Sequence, residues 1–306
     1  MFKKILFGAA MTAALVANGA VPSPLVARPP AARAAAFQPT RFSVTVEGSG
    51  PDLILIPGLT SSRHVWDQAV AGLGGHYRVH RIQVAGFGGE PARGNAEGPV
   101  LAPVVEEIHA YIAANRLRRP MVAGHSVGGL MTLMLAQRHP ADVSRALIVD
   151  TLPFYGVLFG PEATPASIAP QVSGLRDSIA GMTDEVWRVQ QAAAGARLAS
   201  TTEGREQLLR DSMASDRGVV ARALYEDAVT DMRPSLPGIR TPLTVVYAVN
   251  PFATEAAYGR LMRTGYAAAP DVRLVAVEPS YHFIMLDQPA RFQQVLADFL
   301  AGRAAH

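Results

Sequence analysis

The run MVAGHSVGGLMTLMLA, Met121 to Ala136, leaves a chain few choices. Met121 to Ala123 is a short apolar strand, a turn begins at Gly124, and Val127 to Arg138 is a helical run stopped by Pro140. A strand that must become a helix within a few residues forces a strained backbone on the residue between them, here Ser126. Gly124 and Gly128 carry no side chain to clash across so tight a turn. G-x-S-x-G with a strand before it and a helix after it is the pattern of a nucleophile elbow, shaped here by Gly124, His125 and Gly128. It holds the serine hydroxyl out of the sheet, beside the positive end of a helix. Ser126 is therefore the candidate nucleophile. The backbone N–H of Val127, the next residue, is a candidate donor to an oxyanion.

The rest of the chain repeats that alternation. Strands are expected over Arg41 to Glu47, Leu53 to Ile56, Tyr77 to Val84, Ala146 to Val149, Leu243 to Val249 and Val272 to Val277. Helices are expected over Val65 to Leu73, Pro103 to Asn115 and from Gln288 onward. The last places Phe292, Val295, Leu296, Phe299 and Leu300 on one face. Strands alternating with helices mean an α/β fold: a mostly parallel central sheet flanked by helices. Leu152 to Pro237 breaks the rhythm. It contains no convincing buried strand and reads as several helices with polar joints, a helical cap inserted into one sheet domain.

Three segments carry a family resemblance: PGLTSSRHVW at 57 to 66, GHSVGG at 124 to 129 and SYHFIMLDQP at 280 to 289. From about Arg41 onward the chain resembles the α/β-hydrolase family, whose cap lies where the helical insertion lies here. The resemblance implies a core of residues 37–151 and 238–306, with the cap at 152–237. It also implies that His282, between the last strand and the last helix, is the general base that takes the proton of Ser126. The backbone N–H of Leu59, just after Pro57-Gly58, becomes the second oxyanion donor. Where the family often has His-Gly, this chain has Pro-Gly. The donor is main chain, so the change need not harm function.

The third member of a triad is not where the family usually carries it. The loop after Leu243 to Val249 offers Asn250, which can orient an imidazole but holds no charge. Glu255 follows, in what reads as the start of a helix, where an acid is already explained by the dipole. Asp150 ends the strand Ala146 to Val149, on the sheet edge that Ser126 shares, one strand along. A subset of the family, some haloalkane dehalogenases among them, takes its acid from this position, after the sixth strand in the family's order. Those enzymes use an aspartate nucleophile, so Ser126 argues against dehalogenation here. Asp150 is the preferred acid, with Glu255 and Asn250 as alternatives.

The expected activity is that of a serine hydrolase cleaving a small or medium, mostly apolar carboxylic ester through an acyl-enzyme, with no cofactor and no metal. Hydrolysis of a C–C bond, lactone or amide by the same triad remains open, as does a non-catalytic, ligand-binding member of the fold. Phe154, Tyr155, Leu158, Phe159, Met182, Trp187 and Tyr225 of the cap suit an apolar group. Most of them are also explained by packing. Arg176, Arg188 and Arg197 fit a solvated helix face better than a carboxylate site.

Charge and the N-terminus bound the partners. The formal net charge of +3 comes from the first 36 residues, which hold four basic residues (Lys3, Lys4, Arg28, Arg33) and no acid. The remainder has 24 basic residues against 25 acidic ones, from totals of 28 and 25. Nothing there suggests a basic face for nucleic acid. Lys3 and Lys4 before the apolar stretch Ile5 to Val21 have the layout of a secretory signal, with cleavage after Gly19 or Ala20 or at Ala34 to Ala36. The stretch is broken by Gly8, Asn18 and Gly19, which disfavours a retained anchor, since a spanning helix needs about 20 apolar residues. The expectation is an exported protein, periplasmic or secreted, with no stable membrane span after cleavage. The chain has no cysteine, hence no disulfide, no lipidated cysteine and no thiolate zinc site. Oligomeric state is not legible.

Overall fold

Parallel strands buried on both faces need apolar residues at successive positions, and the chain's short Val-, Ile- and Leu-rich runs meet that need. The computed structural model describes residues 37–303, so the expected leader over residues 1–36 lies outside it. Seven strands form one sheet: β1 (Phe42–Glu47), β2 (Asp52–Ile56), β3 (Arg78–Val84), β4 (Met121–His125), β5 (Ala146–Val149), β6 (Leu243–Ala248) and β7 (Val272–Val277). Their order is β1-β3-β2-β4-β5-β6-β7. The β1–β3 pair is antiparallel and every other pair is parallel.

Helices α1 (Asp67–Ala71), α2 (Leu101–Ala114) and α3 (Val127–Arg138) precede β5. Between β5 and β6 lie α4 (Pro165–Gly181), α5 (Asp184–Leu198), α6 (Thr202–Ala214) and α7 (Arg217–Val229). After β6 come α8 (Arg260–Tyr266), α9 (Ile284–Asp287) and α10 (Pro289–Ala301). This is the expected sheet with an inserted helical cap. Among the described residues no helix is long and apolar enough to cross a membrane.

The two-residue period of a strand separates two cores. Ile54 and Ile56 face one side with Val122, Ile148 and the apolar residues of α2 and α3. Leu53 and Leu55 face the other with Ala123, Val149, Trp66 and the α10 residues Phe292, Val295, Leu296 and Phe299. The α10 stripe expected from spacing is thus the stripe that is buried.

Several element bounds shift by a residue or two from expectation, and the end of β4 is the shift that bears on the site. β4 continues through Gly124 and His125, because Gly124 pairs with Ile56 on one side and Ile148 on the other. Ladder bonds from two neighbours hold a glycine in a strand that its own propensity disfavours. The reversal therefore falls on Ser126 alone.

The polar joints of the cap are helix caps. Thr164, Thr183, Thr201 and Asp216 each precede a helix, and each side chain accepts a backbone N–H from that helix's first turn. Cap and core are joined by specific polar contacts. Asp211 of α6 accepts from the N–H and the hydroxyl of Ser62, both at 2.8 Å. α2 begins without a side-chain cap of its own. Glu226 of α7 supplies one, accepting the Val100 and Leu101 N–H groups at 2.8 Å each.

Glu226→Ala removes both acceptors from a helix N-terminus and unpins α7. It is expected to destabilise the protein by about 1–2 kcal/mol, read as a lowered Tm or denaturation midpoint.

Candidate active site

The elbow is built on close backbone approach. Ser126 has φ 54° and ψ −125°, a conformation that non-glycine residues rarely adopt. A Cβ on Gly124 would collide with the carbonyl of Gly128. One on Gly128 would collide with the carbonyls of Ile56 and Pro57. Ser126 is held by hydrogen bonds on both sides: its N–H donates to Val149 at 2.9 Å, and its carbonyl accepts the Thr151 hydroxyl at 2.8 Å. Gly129, which the pattern does not require, touches the same Thr151 so closely that a side chain there would displace it.

Register places Asp150. His125 is opposite Val149, so Ser126 and Asp150 leave adjacent strands at the same level. Asp150 is 6% exposed. Its Oδ1 accepts the Ala248 N–H at 2.9 Å, and its Oδ2 lies 2.6 Å from Nδ1 of His282. One oxygen is anchored to β6 and the other is left for the imidazole. Tyr258, half-buried, is adjacent. Burial first, and the Asp150 charge second, hold its phenol well above the usual range.

The two alternative residues, Glu255 and Asn250, are occupied elsewhere. Glu255 pairs with Arg263 and accepts from Tyr247 Oη at 3.0 Å. Asn250 Oδ1 accepts the N–H groups of Phe252 and Ala253 at 2.9 and 3.0 Å, while its Nδ2 donates to the Ser280 carbonyl at 2.9 Å. Asn250 thus clamps the end of β6 to the loop that carries His282, a role that its position alone did not reveal.

His125 supports the same loop. Its Nε2–H donates to the His282 carbonyl at 3.0 Å, and its ring centroid lies 4.5 Å from that of His282. Burial, then the proximity of His282, hold its pKa well below the ordinary histidine value, so it remains neutral. Its Nδ1 finds no partner among the described residues.

Ser126, His125, Asp150 and His282 line one cavity of about 410 Å³. Among the described residues no hydrogen bond joins the Ser126 hydroxyl to His282. Such contacts are commonly long without substrate and tighten when it binds. Leu59 lines the cavity, and Val127 opens α3. Neither N–H donates a hydrogen bond among the described residues. The cap contributes Tyr155, Leu158, Trp187 and Leu224 to the wall, whereas Phe154, Phe159, Met182 and Tyr225 lie outside it. Phe154 is buried against Ile168 and Val172. Arg176, Arg188 and Arg197 do not line the cavity either, as a solvated helix face implies.

Spacing gave no hint of Asp227. It stands on the cavity-facing stripe of α7 with Val220 and Leu224. Burial pushes its carboxyl up from 3.8 to about 7. A second polar cluster lies away from the cavity. His109 pairs with Asp142 at 2.6 Å and His139 with Glu106 at 2.8 Å, with the two imidazoles stacked at 3.8 Å and 5° apart in plane. A metal held by both rings would have to sit in both ring planes, which parallel stacking forbids.

The chain belongs to the alpha/beta hydrolase family, whose profile matches residues 53–295, and it is a hydrolase of that superfamily. It is 28% identical to the pimeloyl-[acyl-carrier protein] methyl ester esterase of Aeromonas hydrophila subsp. hydrophila, over 85% of this chain and 100% of that one. The enzyme of the same name from Aromatoleum aromaticum is 26% identical over 82% and 99%. In fold it is similar to a hydrolase from Pseudomonas aeruginosa PA01, with a TM-score of 0.70 at 22% identity over 85% and 94% of the two chains. The enol-lactonase of Burkholderia xenovorans LB400 gives 0.67 at 22% over 85% and 96%.

Two outcomes follow from this geometry. Gly128→Ala forces a methyl group against two carbonyls of the β2 end and is expected to destabilise by about 1–3 kcal/mol, seen in the denaturation midpoint. Asp227, with its folded pKa raised, keeps a proton that the unfolded chain releases. Stability from this group therefore falls as pH rises from about 4 to about 7 and stays lower above. Asp227→Asn should raise Tm at pH 8 and change it least near pH 4.

Proposed function

We propose that the protein is a serine hydrolase that cleaves a small or medium, mostly apolar carboxylic ester through an acyl-enzyme. The observation that carries this reading is the 2.6 Å contact between Asp150 and His282 on the wall that also holds Ser126. In the proposed cycle His282 accepts the Ser126 proton as the serine oxygen attacks the ester carbonyl. Asp150, acting through Nδ1, fixes the imidazole's tautomer and stabilises its cation. The Leu59 and Val127 N–H groups receive the oxyanion, aided by the positive end of α3. The imidazolium then returns its proton to the departing alkoxide. Water, deprotonated by the same histidine, cleaves the acyl-enzyme and releases the acid. Every proton moves between Ser126, His282, water and the leaving group, so no cofactor enters.

An ester is preferred over a lactone, amide or C–C bond because the curated relatives bear the name methyl ester esterase. The cavity volume favours a small or medium acyl group, and its cap wall is largely apolar. The basic, apolar, small-residue layout of the leader supports an exported site of action, periplasmic or secreted.

A p-nitrophenyl ester chain-length series on the purified mature protein tests the reading. Hydrolysis with a preference for short to medium acyl chains is expected. Ser126→Ala should abolish both turnover and labelling by a fluorophosphonate. Asp150→Asn should lower kcat at least roughly a thousandfold at an unchanged Tm. Well-folded protein that takes no label and turns over no ester would make it a binding protein instead.

A further inference from the structure

The triad and the oxyanion donors leave one group in the cavity without a task. Asp227 sits close to the C-terminal end of α7, where the helix dipole disfavours an anion. Its neighbour Glu226 shows what an acid on this helix does when it serves the fold: it caps α2. Asp227 instead turns to the cavity, and among the described residues its side chain makes neither a hydrogen bond nor an ion pair. A half-buried carboxyl group on a largely apolar cavity wall, left without a protein partner, is available to whatever visits the site.

The rest of the wall identifies that visitor by its charge. No lysine or arginine lines the cavity. Its titratable groups are Asp227, Asp150 and His282, the neutral His125, and the phenols Tyr155 and Tyr258, both held above their usual range by burial. The Asp150 carboxylate is already engaged by His282 and the Ala248 N–H. The wall from α4, α5 and α6 contributes apolar side chains, amides and a hydroxyl, with no charge. The free electrostatic demand of the cavity is therefore a single carboxyl group, on the cap side of the site.

We propose that Asp227 determines specificity: the cavity selects substrates that carry an amine or quaternary ammonium group at the end contacting the cap, and turns away substrates that carry an anionic group there. This deepens the esterase reading and rests on it for the word substrate. The selection itself is a property of the cavity and can be measured without turnover. The ammonium group meets the carboxylate inside a largely apolar wall, where their attraction is much less screened than in bulk water. An anion at the same place is repelled by Asp227 and finds no cation to replace its hydration.

Calorimetric binding of two probes of equal chain length, hexyltrimethylammonium and hexanesulfonate, to the full-length protein at pH 8 tests the proposal. The cation should bind at least roughly tenfold more tightly than the anion, as one charge contact in a partly dry site provides. Asp227→Asn and Asp227→Ser should each remove most of that ratio. Both variants are checked as folded by a Tm at or above that of the parent. A ratio near one in the parent protein, or one that both folded variants retain, overturns the proposal. The two readings fail separately. Charge-selective binding without turnover of any ester leaves Asp227's role standing and sinks the esterase. Ester turnover with charge-blind binding does the reverse.

Discussion

The backbone at Ser126 is the constraint on which the rest depends. One residue must turn a central parallel strand into a helix, and at φ 54° it occupies a region that costs of order 1–3 kcal/mol. Such strain persists only where the surroundings over-determine it. Here Gly124 and Gly128 let three backbones meet without side chains between them. Val149 and Thr151 grip the serine's N–H and carbonyl from the neighbouring strand end. α3 is then buried along nearly its whole length, which makes the reversal inseparable from the core. The strain is therefore offset by packing that spans β2, β4, β5 and α3.

That same junction explains where Asp150 sits. Once β5 is needed to hold Ser126, the residue that follows it is already level with the serine. Asp150 uses this position, with one oxygen on β6 and the other toward His282. The end of β6 carries an uncharged side chain, Asn250, instead. Asn250 there has become a fastener between β6 and the histidine loop, and His125 ties that loop from the other side. Asp287 adds a third tie, with its carboxylate on the N–H groups of Tyr281 and Ser200. The histidine loop is thus braced from the sheet, from the elbow and from the cap.

How much of this was legible along the chain follows the range of the interactions. The sheet, its helices and the inserted cap could be read because periodicity, turn residues and N-caps act over a few positions. Ser126 and Asp150 could be picked out because each directly follows a strand, and parallel strands bring their ends to one edge, whereas His282 was implied by the resemblance of its loop to the family's. Asp150 over Asn250 and Glu255 was a preference only. Both oxygens of the aspartate find their partners about a hundred or more residues away, and no local pattern encodes that. β4 runs two residues beyond what its apolar pattern implies, since Gly124 and His125 are kept in the strand by neighbours on either side and not by their own propensity.

By itself, the sequence determined the layered α/β plan, the glycine-framed reversal at Ser126 and the helical character of the cap, all properties of residues close together in the chain. Only the tertiary structure decided that Asn250 is a clamp, that His125 is a neutral strut, and that Asp227 of the cap faces the cavity while its neighbour Glu226 caps α2. Adjacent residues on a helix point about 100° apart. Which of two neighbouring acids meets a helix and which meets the cavity is settled by how α7 rests on the sheet, and that is fixed by packing across the whole domain.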